Sequence, residues 1–354
     1  MAKEAVLVTA TGSIIGEGII KCLKLANANS RTFAYEIITA DIRADAAGLY
    51  RGHIAELIPS PQDELVYCDA LARVCRKYSV RAIFCGSDEE LLPLARLRSR
   101  IEKETCSKVL TNPLPTLQIA IDKWKTYHKL KNSGLDCAES ALPENKEEFV
   151  RKFGYPLIVK PRTGHGSQNL FLSRNSDEIN FAIRSIRDSG GDPILQEFLP
   201  GEDAEYTTGV VMSARKGSVL SSISMRRKLK HGQTYKAFIE KAEPVKISSE
   251  KAAGVIGGVG PVNVQSKLVD GKSKVFEINP RFSASCPIRA FSGVNEPDIV
   301  FRDQVMNEEI IFPKYRRLIA MRYWNEVYVP LESYELASKT GRVDVEDSFV
   351  PDYF

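Results

Sequence analysis

The sequence predicts a mixed fold: α/β at the N-terminal end, with a doubly wound parallel sheet, and α+β beyond it. Three observations predict it. Over about the first 110 residues, short apolar runs alternate with amphipathic helical segments, the grammar of βαβ units. Asn112-Pro113 and Pro115 then interrupt that grammar. After them come helices followed by mostly antiparallel strand patterns, turning at signals such as Asp270-Gly271.

The elements follow in order. AVLVTA (5–10) reads as a buried parallel strand, TGSIIGEG as a glycine turn, and IIKCLKLANA as the helix after it. EIITAD (36–41) and AELIP (55–59) are the next strands. PQDELVYCDALARVCRKY reads as a helix opened by its proline, with Leu65, Leu71, Ala72 and Cys75 as the buried stripe. RAIFCG, SDEELLPLARLRSRIEKE and SKVLTN give strand, helix, strand. Beyond the prolines, PTLQIAIDKWKTYHKLKNSG reads as one helix closed at Gly134, and NKEEFVRKFG as a short one. YPLIVKP and NLFLS flank the loop TGHGS, and DEINFAIRSIRDSGG is helical. PILQEFLPG, AEYTTGVVMS and SVLSSISMRRKL are strands, the last two joined at RKGS. SSEKAAGVIGGVG reads as a helix, and GPVNVQSKLVDGKSKVFEINP as a hairpin. RLIAMRYWNEVYVP supplies a closing strand.

Composition excludes several classes of function. With 43% hydrophobic and 27% charged residues over 354 positions, the chain has the balance of a soluble globular protein. A net charge of +4 is too mild to argue for a nucleic-acid or membrane partner. Seven cysteines without a CxxC suit reduced thiols, and four scattered histidines show no zinc spacing. MAKEAVLVTATG enters a strand with no basic and apolar leader pattern, and no apolar run would span a bilayer, so a cytoplasmic location is expected.

The chemistry concentrates in a few stretches. In VFEINPRFSAS, Glu277, Asn279 and Arg281 fall at alternate positions, so a strand would present all three on one face. That pattern is either a half-solvated strand or a set of oxygen ligands for Mg²⁺ beside an anion-binding arginine. Gln265, one hairpin arm earlier, is placed to lie across from Glu277. Lys160 ends an apolar strand before the glycine loop 164–167, which is either an ordinary hairpin tip or a phosphate cradle. Lys123 stands at a helix start, and Glu197 and Glu205 flank an extended linker. Gly12, Gly16 and Gly18 form GxxxGxG, with Asp41 ending the second strand, which is closer to a tight packed turn than to a dinucleotide fingerprint.

Taken in order, Lys123, YPLIVKP with its glycine loop, LQEFLPGEDAEY, GPVNVQ and EINPR resemble the ATP-grasp superfamily. The nearest resemblance is to single-unit relatives of the carbamoyl-phosphate synthetase large chain. It implies a Rossmann-like domain preceding the ATP-grasp fold (1–112), a small lid subdomain (113–195) and a C-terminal subdomain with the metal site (196–354). Lys123 and Lys160 match the cations that hold ATP phosphates. Gly164, His165, Gly166 and Ser167 match the loop that closes over them. Gln196, Glu197, Phe198 and Leu199 match the hinge that reads adenine and ribose. Glu205 matches a ribose-side acid, with Glu202 as a competitor for that role. Gln265, Glu277 and Asn279 match the Mg²⁺ ligands, which would also accept Mn²⁺, and Arg281 matches the arginine that steadies the transferred phosphoryl group. The implied activity is a carboxylate–amine ligase working through an acyl phosphate, with small-molecule substrates and a homodimer common among relatives. Arg226, Arg227, Lys228 and Lys230 crowd what reads as a loop after a strand. Arg227 and Lys228 there, and Arg289, are the candidates for binding a substrate carboxylate, and Cys286 is taken as packing. The competing functions are a nicotinamide-dependent oxidoreductase built on Gly12 and Asp41, and a non-catalytic ATP sensor.

Overall fold

The computed structural model describes residues 2–30, 32–164, 166, 169–201 and 203–352. Its first part runs β1 (Ala2–Val8), α1 (Ile14–Asn29), β2 (Phe33–Asp41), β3 (Ile54–Leu57), α2 (Glu64–Lys77), β4 (Ala82–Phe84), α3 (Leu91–Thr105) and β5 (Lys108–Val109). The five strands pair in parallel in the order β3-β2-β1-β4-β5. Strand order reverses between β1 and β4, so the loops after those two strands diverge and open a crevice at their carboxyl ends. The glycine turn serves packing there. A Cβ at Gly16 would collide with the Ala10 backbone, and Gly12 N–H donates to the Asp41 carboxylate at 2.7 Å.

The chain continues through α4 (Leu114–Ala120), α5 (Lys123–Asn132), β6 (Ser140–Ala141), α6 (Lys146–Phe153), β7 (Leu157–Pro161), β8 (Phe171–Ser173), α7 (Ser176–Asp188) and β9 (Pro193–Glu197). These strands form an antiparallel sheet in the order β6-β9-β7-β8. The remainder is β10 (Glu205–Met212), β11 (Val219–Lys230), β12 (Gln233–Ile239), α8 (Glu243–Val255), β13 (Gly260–Val269), β14 (Lys272–Asn279), α9 (Cys286–Ser292), α10 (Glu296–Gln304), β15 (Leu318–Met321) and α11 (Leu331–Thr340). Its strands make an antiparallel sheet in the order β14-β13-β10-β11-β12-β15. One face carries Val210, Met212, Val262, Val264 and Ile278 against α8. The other face shares a core with the N-terminal sheet: Val6, Phe33, Tyr35 and Phe84 pack in one cluster with Ile223, Met225, Phe282 and Phe301.

Four local expectations are corrected. The helix expected from Pro115 to Gly134 is two helices, because Asp122 leaves helical geometry and caps α5 by accepting from Trp124 N–H and Lys125 N–H. Leu65 is not part of the buried stripe of α2. That face is Tyr67, Cys68, Leu71, Val74 and Cys75, and Leu65 lies off its arc at 64% exposure. Nor does α2 open at its proline: it starts at Glu64, capped by Asp63. Arg226 to Lys230, read as a loop after a strand, continue β11 into a hairpin that turns at His231-Gly232, both at positive φ.

Candidate active site

The site is built on the inner ends of β10, β13 and β14. Gln265 stands directly opposite Glu277, and Asn263 opposite Asn279. The register skips between Gln265 and Ser266, which leaves Phe276 as an unpaired, bulged residue. The bulge has two effects. It lets Val275 enter the core under α8 while Glu277 turns to the opposite face, and it frees the Phe276 carbonyl to face Lys160 Nζ at 3.5 Å. Thr207, opposite Gln265 on β10, donates to Asn263 Oδ1 at 2.8 Å.

From Glu277 onward the alternation read in the sequence is realised. Asn279 Nδ2 donates to Glu277 Oε1 at 2.9 Å, and Arg281 Nη2 donates to Asn279 Oδ1 at 3.0 Å. Two lysines act on this ladder from other elements. Lys160, at the end of β7, is 4% exposed and donates to Gln196 Oε1 at 2.9 Å. Burial, offset in part by the Glu277 charge, lowers its pKa to about 8. Lys123, the first residue of α5, donates to the Gly164 carbonyl at 2.9 Å. Burial alone would raise the Glu277 carboxyl, but Lys123 and Lys160 outweigh it and hold the group below the usual carboxylate range. Glu277 is therefore an anion at neutral pH.

The remaining predicted residues divide. Gly164 and Gly166 lie in the β7–β8 loop at φ +121° and +70°. His165, Ser167 and Glu202 lie outside the described residues. Gln196 is buried as the partner of Lys160 and of Ser140. Glu197 accepts both a 2.9 and a 3.0 Å bond from Lys274, and Glu139 N–H besides. Phe198 is partly exposed beneath Lys267, whose Nζ also takes the Leu199 carbonyl at 2.9 Å. Glu205 begins β10, and Arg227 of β11 grips it at 2.9 and 2.6 Å and also donates to Gln265 Oε1 at 2.9 Å.

Arg227 therefore belongs to the ladder as the link between Glu205 and Gln265. Lys228 points away from it, to Asp203 at 3.1 Å. Arg289 is corrected: it does not reach the cleft. It is fully buried in an ion pair with Glu296, in space left by Gly209, where a Cβ would collide with both side chains. Its carboxylate partner, seven residues on, was the signal in the sequence. Cys286 is packed as expected, against Cys22 of α1.

Sequence reasoning missed two residues. Asp88, in the loop after β4, accepts from Arg281 Nε at 2.8 Å and Nη2 at 3.2 Å. Asn112, fully buried, donates to the Pro261 and Pro280 carbonyls at 2.7 and 3.0 Å and accepts from Val259 N–H. The adjoining cleft, about 380 Å³, is lined by Asp88, Lys123, Gly164, Glu277 and Asn279 among others. A second cavity of about 610 Å³ lies at the carboxyl ends of the parallel sheet and shares Pro61 and Glu89 with it. There Asp41 already accepts from Gly12 N–H and Arg43 N–H, so the turn closes on the acid that a nicotinamide ribose would need.

Comparison with known proteins points one way. Residues 120–285 match the ATP-grasp domain. The chain is 25% identical over 158 residues to the D-alanine–D-alanine ligase of Azobacteroides pseudotrichonymphae, covering 43% of this chain and 44% of that protein. It is 27% identical over 175 residues to the carbamoyl phosphate synthase large chain of Clostridium perfringens, covering 46% and 16%. It thus spans less than half the length of these relatives. In fold it is similar to N5-carboxyaminoimidazole synthetase from Staphylococcus aureus, complexed with ADP (TM-score 0.69, 14% identity, 90% and 82% of the two chains). It is also similar to the L-amino acid ligase of Bacillus licheniformis (TM-score 0.62, 14% identity, 89% and 76%). None of this supports the oxidoreductase alternative.

Proposed function

Since residues 120–285 match the ATP-grasp domain, we propose that the chain is an ATP-grasp enzyme, an ATP-dependent carboxylate–amine ligase that makes an amide and releases ADP and phosphate. The observation that carries this reading is the Gln265–Glu277–Asn279–Arg281 face with Lys123 and Lys160 acting on it. One carboxylate and two amide oxygens are hard donors, and no group of three His, Cys, Asp or Glu gathers among the described residues. Such a set suits Mg²⁺, or Mn²⁺, which completes its shell with phosphate oxygens and water. When bound, the metal neutralises developing charge on the phosphate oxygens.

The chain's own residues do the rest. Lys123 and Lys160 hold the nucleotide phosphates, and Gly164 and Gly166 let backbone N–H groups approach them. Phe198 and the Leu199 backbone line the adenine hinge, while Glu197 and Glu205 serve the ribose side. Arg281 faces the oxygens of the transferred phosphoryl group as the substrate carboxylate attacks it. Amine attack on the acyl phosphate then forms the amide and expels phosphate. No protein nucleophile takes part, so positioning and charge stabilisation supply the acceleration.

We divide the chain for this reading at 1–112, 113–197 and 198–354, moving the second boundary from the expected 195 to after Glu197 because β9 is one strand. Seven free cysteines support a cytoplasmic setting. No helix among the described residues is long and apolar enough to cross a membrane. Apolar residues exposed around the edge strand β15, Met321, Tyr323 and Trp324, support a homodimer, which sedimentation would test.

The test is ADP release from Mg·ATP with pooled amino acids and small carboxylic acids, each with and without amines. One acid should stimulate turnover, and Glu277→Ala should lose it by about 100-fold or more. Failure to bind ATP would overturn the reading.

A further inference from the structure

Arg281 is the residue the ligase reading assigns to the transferred phosphoryl group, yet its fork is already filled. Nε and Nη2 donate to the two Asp88 oxygens at 2.8 and 3.2 Å. Nη2 also serves Asn279 Oδ1 at 3.0 Å, and Nη1 the Phe282 carbonyl at 3.2 Å. A guanidinium has five N–H groups. Four are engaged among the described residues, so at most one N–H is left, on Nη1, and it cannot grip an anion through two parallel bonds. Asp88 comes from the loop after β4, in the parallel sheet, and reaches across 193 positions of sequence to the end of β14. It lines the same cleft as Lys123, Glu277 and Asn279.

We propose that Asp88 is a resident carboxylate that occupies Arg281 until a substrate anion displaces it. This rests on the ligase reading. The chemistry follows from the pairing. A substrate carboxylate or phosphoryl group offers Arg281 the same pair of oxygens as Asp88 does. Both cannot sit on one fork, and two anions on one cation repel each other. Entry of the substrate anion therefore requires release of the loop carrying Asp88, which ties occupancy of the phosphoryl site to a movement of the N-terminal part. Until then Asp88 keeps Arg281 oriented and closed to adventitious anions.

The probe is inorganic phosphate, titrated calorimetrically with and without Mg·ADP into wild type, Asp88→Asn and Asp88→Ser, and into each of the two in an Arg281→Gln background. Removing the competing charge should tighten phosphate binding by about tenfold or more, and only where Arg281 is present. A merely structural Asp88 would lower thermal stability without creating Arg281-dependent affinity. Unchanged affinity in the folded variants, or a gain that survives loss of Arg281, overturns the proposal. If neither variant folds, wild type decides: amide exchange in residues 86–90 should accelerate on adding phosphate, and unchanged exchange overturns the proposal. Loss of ADP binding in every protein would overturn the ligase reading instead, while the nucleotide-free titration still decides the role of Asp88.

Discussion

Lys160 is held almost dry at the end of β7, with an amide oxygen, a backbone carbonyl and the Glu277 charge for company. Burial disfavours its ammonium, so its pKa falls to about 8. In the nucleotide-free protein the charged form prevails below that pH and is lost as pH rises through it. Bound phosphates favour the charged form. The Mg·ATP dissociation constant should accordingly climb above pH 8, by at most about tenfold per pH unit, and binding there should take up as much as about one proton. Calorimetry in two buffers of different ionisation enthalpy measures that uptake. Lys160→Met should bind more weakly and show neither effect. A flat profile in wild type would mean that Lys160 does not face the phosphates. The lysine itself was legible because it ended an apolar strand before glycines. Its depth was not, because burial depends on β14 and β9, which lie far from it in sequence.

Among the elements, the break at Asp122 matters most for the site. One carboxylate caps α5, and it also pairs with Arg162 at 2.6 Å, fixing the helix start that carries Lys123 to the end of β7. Asp122→Ala should cost about 1–2 kcal/mol from the cap alone. It should also raise the KM for ATP more than it lowers kcat, because Lys123 loses its platform. Thermal melts and steady-state kinetics check the two halves, and an unchanged KM would show that the α5 start does not serve the nucleotide. The cap was visible as an Asp before Lys-Trp-Lys, but continuous apolar spacing from Leu117 to Leu130 masked it. The Phe276 bulge was hidden in the same way. VFEIN does not alternate strictly, since Val275 and Ile278 both enter the core under α8 while Glu277 turns away. Only the unpaired residue reconciles them. The hairpin turn at Asp270-Gly271 was readable from its turn chemistry, but the register that turn sets would place Gln265 opposite Phe276, and it is the bulge that brings Gln265 opposite Glu277.

At the scale of the molecule, parallel and antiparallel sheets are held together by buried polar residues as well as by apolar packing. Asn112 satisfies two carbonyls and one amide of the β13 and β14 region. Asn112→Ala strands those groups in a buried setting, so it should lower stability by about 1–3 kcal/mol or more. Denaturant titration measures this, and a loss under 0.5 kcal/mol, roughly the level of a neutral surface change, would count against it. The fold class was legible from the alternation before Asn112 and its loss afterwards. The contacts between the parts were not, because Asp88–Arg281 and Tyr35–Asp298, the latter at 2.6 Å, join positions with no local pattern in common.

The shared cluster of Val6, Phe33 and Phe84 with Ile223, Phe282 and Phe301 bears on how such a chain can be recombined. A crossover placed at the proline boundary looks natural on paper, since it separates one kind of sheet from another. It would cut through the middle of a single apolar interior. Chimeras that exchange the first 112 residues with a distant relative would inherit mismatched halves of that interior. Successful exchange would have to carry the complementary faces of β11, β12 and α10 along with the N-terminal strands.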